Sequence, residues 1–145
     1  MRWKRKLSLA DVYARIPNVD CKGLCQESCG PIAMSRDEDR RLRDLGVTIS
    51  SMLDAVAAID RGEDYWCPAL QQGQCTVYDA RPTICRLWGA TTSMPCPHGC
   101  TPPDALSQPQ SFELLALAAR AGGGMVAGFL GPEESSSDDN GPPQP

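Results

Sequence analysis

The chain of 145 residues is short of the side chains that fill a large interior: Leu, Ile, Val and Phe number 26, about 18% of the sequence, and aromatic residues make up 6%. That share lies under the roughly 20% expected of chains with an ample apolar core, so a wide oily interior is excluded. No run of about 18 uncharged apolar residues occurs, which excludes a helix that crosses a bilayer. There is a single histidine, His98, and neither a G-x-G-x-x-G nor a P-loop pattern, so chemistry built on several imidazoles or on those phosphate cradles has no residues to run on. The basic start Arg2, Lys4, Arg5 and Lys6 leads into LSLADVY, which has neither the apolar stretch of about 7 to 15 residues nor the cleavage site of a secretory signal. These absences predict a soluble, cytoplasmic protein without a membrane partner. An excess of positive charge is missing too. The net charge is −4, and residues 131–145 contribute four acids and no base. The remainder is balanced, which argues against nucleic acid as a partner.

What the sequence does have is cysteine. Eight are present: Cys21, Cys25, Cys29, Cys67, Cys75, Cys85, Cys96 and Cys100. In a reducing compartment such a set points to metal ligation or redox work rather than to a disulfide framework. Cys21-x3-Cys25-x3-Cys29 and Cys96-x3-Cys100 both fall inside the spacing of about two to four residues typical of a zinc half-site. All eight are candidate metal ligands, and His98, lying inside the last pair, is a ninth. Zinc and an iron-sulfur cluster both accept thiolates in tetrahedral arrangement, so spacing leaves the two cofactors open. In one unbroken helix Cys21 and Cys29 would stand about 12 Å apart along the axis. A cysteine reaches only roughly 5 Å from its Cα through the sulfur to a zinc. Either Gly23 and Gly30-Pro31 keep this segment looped, which the glycines favour, or its outer cysteines serve different centres. Arg81 and Arg86 flank Cys85, where a guanidinium can offset thiolate charge and donate to sulfur. Trp66, Tyr78 and Trp88 are placed to give apolar cover.

Around the cysteines the pattern predicts a small, mainly α fold with irregular loops and at most a short β element, nucleated by metal. Residues 1–20 read as a proline-interrupted lead, 21–124 as the cysteine-cluster domain and 125–145 as a flexible tail, with Met125 to Leu130 folding back on the body. Ser35 and Glu38 form a capping-box signature, opening a helix that buries Leu42 and Leu45 and stops at Gly46. Its arginines Arg36, Arg40, Arg41 and Arg43 interleave with acids and read as a solvated face. A second helix runs from about Ser51 to Ile59 with Met52, Leu53, Val56 and Ile59 inward, ended by Gly62. Thr76-Val77-Tyr78 suits a strand, and Asp79 suits the cap of a brief helical turn from Pro82 to Trp88. A helix after Ser107 should bury Phe112, Leu115 and Ala119, with Leu114 and Leu117 beside them.

The segments Cys67-Pro68-Ala69-Leu70, Cys75-Thr76-Val77-Tyr78 and Arg81-Pro82-Thr83-Ile84-Cys85-Arg86, followed by Cys96 to Cys100, resemble the C-P-x-L, C-x-[IV]-Y and R-P-x-x-C-R signatures of the YkgJ-like cysteine-cluster family. The likeness runs from Cys21 to about Gly124 and implies a zinc- or iron-chelating domain. The family opens on C-x2-C-x2-C-C, whereas this chain has C-x3-C-x3-C-G, with Gly30 in place of a fourth cysteine. A four-coordinate site at the opening would therefore borrow a ligand from Cys67, Cys75, Cys85 or the Cys96–Cys100 segment. The functional expectation is a metal-binding protein rather than an enzyme. The alternative is an iron-sulfur enzyme or electron carrier, related to methyl transfer by family analogy alone.

Overall fold

Helix starts in this chain are written by serine. In a computed structural model, which describes residues 5–21, 23–24 and 29–126, three helices open on a reciprocal serine capping box. They are α1 (Leu9–Tyr13) at Ser8, α2 (Arg36–Asp44) at Ser35 and α5 (Gln108–Ala121) at Ser107. In each, the hydroxyl accepts the amide three residues on, and that residue's side chain accepts the serine amide. Ser51 caps α3 (Met52–Asp60) by accepting from the Asp54 amide at 3.1 Å. Helix α1 lies within the stretch read as an irregular lead; its start signal, Ser8-x-x-Asp11, uses the shorter acid. The Ser8 amide and hydroxyl, with the Arg5 guanidinium 2.6 Å away, hold the Asp11 carboxyl down from 3.8 to about 2.

Helix ends are written by glycine. At α2 the amide of Gly46 donates to the Arg43 carbonyl and that of Val47 to the Leu42 carbonyl, both at 2.9 Å. Gly46 takes a φ of +83°. This double bond closes the helix and swings Val47 inward onto Leu42. Val47 thus fills the place expected of Leu45, which stays 59% exposed. The arginines of α2 face solvent as expected, with Arg40 and Arg43 paired to Asp37 and Asp39.

The remaining elements are short. The strands β1 (Leu70–Gln71) and β2 (Gln74–Cys75) pair antiparallel, Leu70 opposite Cys75. They are joined by Gln72 and Gly73, both at positive φ, +49° and +75°. That is the two-residue hairpin turn whose twist suits flanking strands. The strand expected at Thr76–Tyr78 is therefore displaced toward the turn, and Tyr78–Ala80 forms a single 3-10 turn instead. Helix α4 (Thr83–Leu87) follows from Pro82. Asp79 does not cap it.

The buried residues form two clusters. In the first, Val12 and Ile16 from α1 and its exit meet Leu87, Ala90, Leu114 and Ala118, bringing α1, α4 and α5 together. The second joins Met34, Leu42, Val47, Ile49, Ala69 and Val77, with Cys67 and Cys75 against it. Glu38, 2% exposed, ties the elements of both. One carboxylate oxygen accepts from the Tyr13 hydroxyl at 2.9 Å and from the Thr83 amide and hydroxyl at 2.7 and 2.5 Å. The other accepts the Ser35 amide at 2.9 Å and its hydroxyl at 3.0 Å. Glu38 is thus the cap of α4, supplied from 45 residues away.

Helix α5 docks its far end on the start of α2. Carbonyls of Gly124 and Gly122 accept the amides of Arg36 and Asp37 at 2.9 Å, the Ser35 hydroxyl accepts that of Glu38, and the Glu38 carboxylate accepts that of Ser35. All four amides that a helix start leaves without an internal partner are satisfied. Helix α5 turns Ser111, Leu114 and Ala118 inward and the expected Phe112 outward, 60% exposed. A methyl group added at Gly122 would overlap the Ser35 hydroxyl and Cβ. Gly122→Ala is therefore expected to destabilise the protein by about 1–3 kcal/mol through overpacking, read as a lower urea midpoint at unchanged slope.

Helix α3 buries Ala55 only, and Leu53, Val56 and Ile59 lie outward, against expectation. Ile49 and Val47, from the loop before it, already fill the neighbouring cluster. Past α5, Met125 bridges to Ser35 and the Val126 amide donates to the Met34 carbonyl at 3.0 Å. The fold-back expected of this segment is seen that far. Residues 127–145 lie outside the described residues, as do Arg2 and Lys4. Among the described residues no helix is long and apolar enough to cross a membrane.

Candidate metal centre

Each thiol between residues 67 and 85 is held by one of the small elements. Cys67 opens the turn that leads into β1: its carbonyl accepts the Leu70 amide at 2.9 Å, and the amides of Ala69 and Leu70 lie toward its sulfur. Cys75 ends β2 and is brought back to Cys67 by the hairpin, both packing on the second cluster. Cys85 stands in α4, whose start is fixed by Glu38.

Burial pushes the Cys85 thiol up from 9.0 to about 12, reinforced by the neighbouring Cys67, opposed by the Arg81 guanidinium and raised further by Cys75 and Cys29. Cys67 is likewise pushed up by burial and by Cys75, against the pull of the Ala69 amide. Cys29, Cys67, Cys75 and Cys85 therefore share one electrostatic neighbourhood, although they come from separate segments. A raised thiol favours the protonated form in the folded chain, so that contribution is complete below pH 9 and is lost toward pH 12. Metal-free protein is expected to show a falling denaturation midpoint across that window, and Cys85→Ser to flatten the fall.

The arginines beside Cys85 divide. Arg81 lies 3.7 Å over the Tyr78 ring and donates to the Tyr78 carbonyl, with its charge felt at the Cys85 sulfur. Arg86 gives its donors to the carbonyls of Arg81 and Asp79 at 2.7 and 2.8 Å and stacks 4.0 Å over Tyr13. It braces the turn between Cys75 and Cys85. The aromatic cover expected of Trp66, Tyr78 and Trp88 is not formed; Trp66 is 63% exposed and the other two are exposed as well. Tyr65 takes that place. Its hydroxyl is buried without a hydrogen-bond partner, and burial together with Cys67 and Cys85 pushes its ionisation upward. Only its position before Trp66-Cys67 pointed to it in the sequence.

The other cysteines sit elsewhere. Cys21 is exposed, and its sulfur accepts the Gly23 amide at 3.3 Å. The Cys96 sulfur accepts the amide of His98 at 3.4 Å, while the His98 side chain is exposed and Cys100 is buried. Cys25 lies outside the described residues. No disulfide joins Cys21, Cys67, Cys75, Cys85 or Cys100. Among the described residues no three Cys, His, Asp or Glu side chains stand close enough to hold an ion as placed.

The donor set nevertheless suits a thiophilic metal. Soft thiolates select zinc or iron-sulfur centres, and the orphaned Tyr65 hydroxyl is a ready donor to a sulfur that carries charge. The molecule is thus a small α-rich protein with a two-stranded hairpin. The family model CxxCxxCC, "Putative zinc- or iron-chelating domain", matches residues 20–104, and the chain belongs to this family. No curated protein and no solved structure matches the chain.

Proposed function

We propose that the protein binds zinc or an iron-sulfur centre through Cys29, Cys67, Cys75 and Cys85, and that the metal holds together a body whose apolar core is small. What supports this reading is that the charges of Cys67, Cys75 and Cys29 act on the buried Cys85 thiol, so that thiols from three segments lie near a hydroxyl without a hydrogen-bond partner. Ionised together without a cation, thiolates so placed would repel one another in a partly dry site. A bound cation removes that cost and cross-links the first cysteine segment, the hairpin and α4. Arg81 offsets residual charge at Cys85, and the Tyr65 hydroxyl donates to sulfur. The unit that binds metal is residues 21–124; the lead 1–20 adds α1 to its core, and Met125 and Val126 dock on it.

The test is metal and acid-labile sulfide analysis of protein purified without oxygen, so that a labile cluster is not replaced by adventitious zinc. Brown protein with iron and sulfide, or colourless protein with stoichiometric zinc, is the expected result. A folded chain free of zinc, iron and sulfide overturns the reading.

A further inference from the structure

Helix α3 holds to the body by one small side chain. Ala55 is its buried residue, while Leu53, Val56 and Ile59 are 52%, 45% and 47% exposed. No other helix among the described residues carries more than one exposed large apolar side chain. Single exposed apolar residues are ordinary on a protein surface, whereas several on one face mark a place where something docks. These three do share a face. At about 100° per residue, Leu53, Val56 and Ile59 fall within about 120° of arc around the helix. Met52, half-buried, lies inside the same arc, four positions before Val56. The second cluster cannot take this face in, because Val47 and Ile49 already fill it.

Met52 shows where a cover would come from. With Met34, Ile49 and Val126 it lines a small cavity. Val126 packs on the second cluster, and its amide is bonded to the Met34 carbonyl at 3.0 Å. The chain therefore reaches Val126 beside the N-terminal end of the apolar face of α3. The next four residues, which lie outside the described ones, are Ala127-Gly128-Phe129-Leu130. Four residues span at most about 14 Å, and Met52 to Ile59 is about 10 Å of helix. Phe129 and Leu130 are the last large apolar side chains of the sequence, and Gly131-Pro132 separates them from Glu133 and Glu134. The apolar stretch thus ends at about the length that the face requires.

We infer that Phe129 and Leu130 cover Leu53, Val56 and Ile59 of the same chain, so that the segment after Val126 pins α3 to the body. Point of departure, length and composition all select this occupant. A second copy of the chain is a poorer fit, since a stable interface draws on about 20–30 residues from each side, and the face offers three. A short segment tethered beside the face needs no such area, because its tether already holds it at high effective concentration. The docking is independent of the thiols and of any metal that they bind.

Photo-crosslinking locates the contact directly. The full chain carrying Phe129→p-benzoylphenylalanine is irradiated, and the crosslinked peptides are identified by mass spectrometry. A crosslink from position 129 to α3 within a monomer is the expected result. A crosslinked dimer, a crosslink to another segment, or no crosslink overturns the inference. Hydrogen exchange gives a second readout. Phe129→Ser/Leu130→Ser should lower the protection of α3 amides by about tenfold, as release of a locally docked element does, while α5 keeps its protection. Phe112→Ser, which removes an exposed phenylalanine from α5, should leave α3 unchanged. Equal α3 protection in the natural chain and in the double variant, or the same loss in Phe112→Ser, overturns the docking.

Discussion

Replacing Glu38 by alanine is expected to cost about 3–5 kcal/mol, the range for removing one partner from a buried charged network. That is a large part of the 5–15 kcal/mol that holds a typical domain together. The cost follows from who is left behind. The Tyr13 hydroxyl, the amide and hydroxyl of Thr83, and the amide and hydroxyl of Ser35 all donate to this carboxylate. Each buried donor left without an acceptor costs about 1–3 kcal/mol, reduced where water or relaxation can reach it. Tyr13 cannot escape by ionising, because burial and the charge of Glu38 push its hydroxyl well above the usual range. Glu38→Gln is expected to be damaging as well. Both carboxylate oxygens face donors, so a glutamine must turn its NH2 toward one set of them. Asp39→Asn, on the same helix but in an exposed ion pair with Arg43, should change stability by no more than about 1 kcal/mol. Urea denaturation of the three variants separates a buried hub from a general effect of lost charge.

That hub shows where sequence reading stops. Ser35-x-x-Glu38 was legible as a cap, because a capping box is local and its two residues need only each other. That the same carboxylate also caps α4, carries Tyr13 and joins two clusters depends on contacts across 25 and 45 residues, which leave no local pattern. Helix stops at Gly46 and Gly62 were legible for the same reason as the caps: positive φ is a property of one residue. The buried faces were not. Phe112 outranks Ser111 in hydrophobicity, yet α5 buries the serine, because Ser111 shares the face of Leu114 and Ala118, which packs on the first cluster. Likewise the hairpin formed at Gln72-Gly73 rather than at the β-branched Thr76-Val77, since the turn fixed the register.

The family was legible in the cysteines, but their arrangement in space was not. Cysteine count and spacing pointed to thiolate ligation, and the family match covers all eight positions. Which cysteines lie near one another is set by the hairpin and by α4, neither of which the spacing encodes. Tyr65 was missed because a tyrosine beside a tryptophan and a cysteine reads as cover, with the tryptophan the larger candidate. Trp66 turned out to solvent and Tyr65 turned in.

On the proposed metal-binding reading, treatment with a strong chelator in reducing buffer is expected to have the largest effect of all, unfolding the stretch from Tyr65 to Cys100. The elements there are two strands of two residues, one 3-10 turn and a five-residue helix. Helices under about 12 residues are marginal alone in water, and so is an isolated two-stranded hairpin. The apolar cover is thin as well, since Ala69, Val77, Leu87 and Ala90 are the buried aliphatic residues of that stretch. A structural zinc supplies about 10–16 kcal/mol of apparent binding energy at neutral pH, as much as the whole stability of an ordinary small domain. Hydrogen exchange read by mass spectrometry localises the result. Amides of β1, β2 and α4 should lose protection on chelation by orders of magnitude. Those of α5, which is long and packs on α1, should lose less. Added zinc should restore protection in the same segments. Equal protection before and after chelation, in protein shown to have lost its metal, would mean that short elements and a thin core suffice without a cross-link, and would remove the structural role assigned to the thiols.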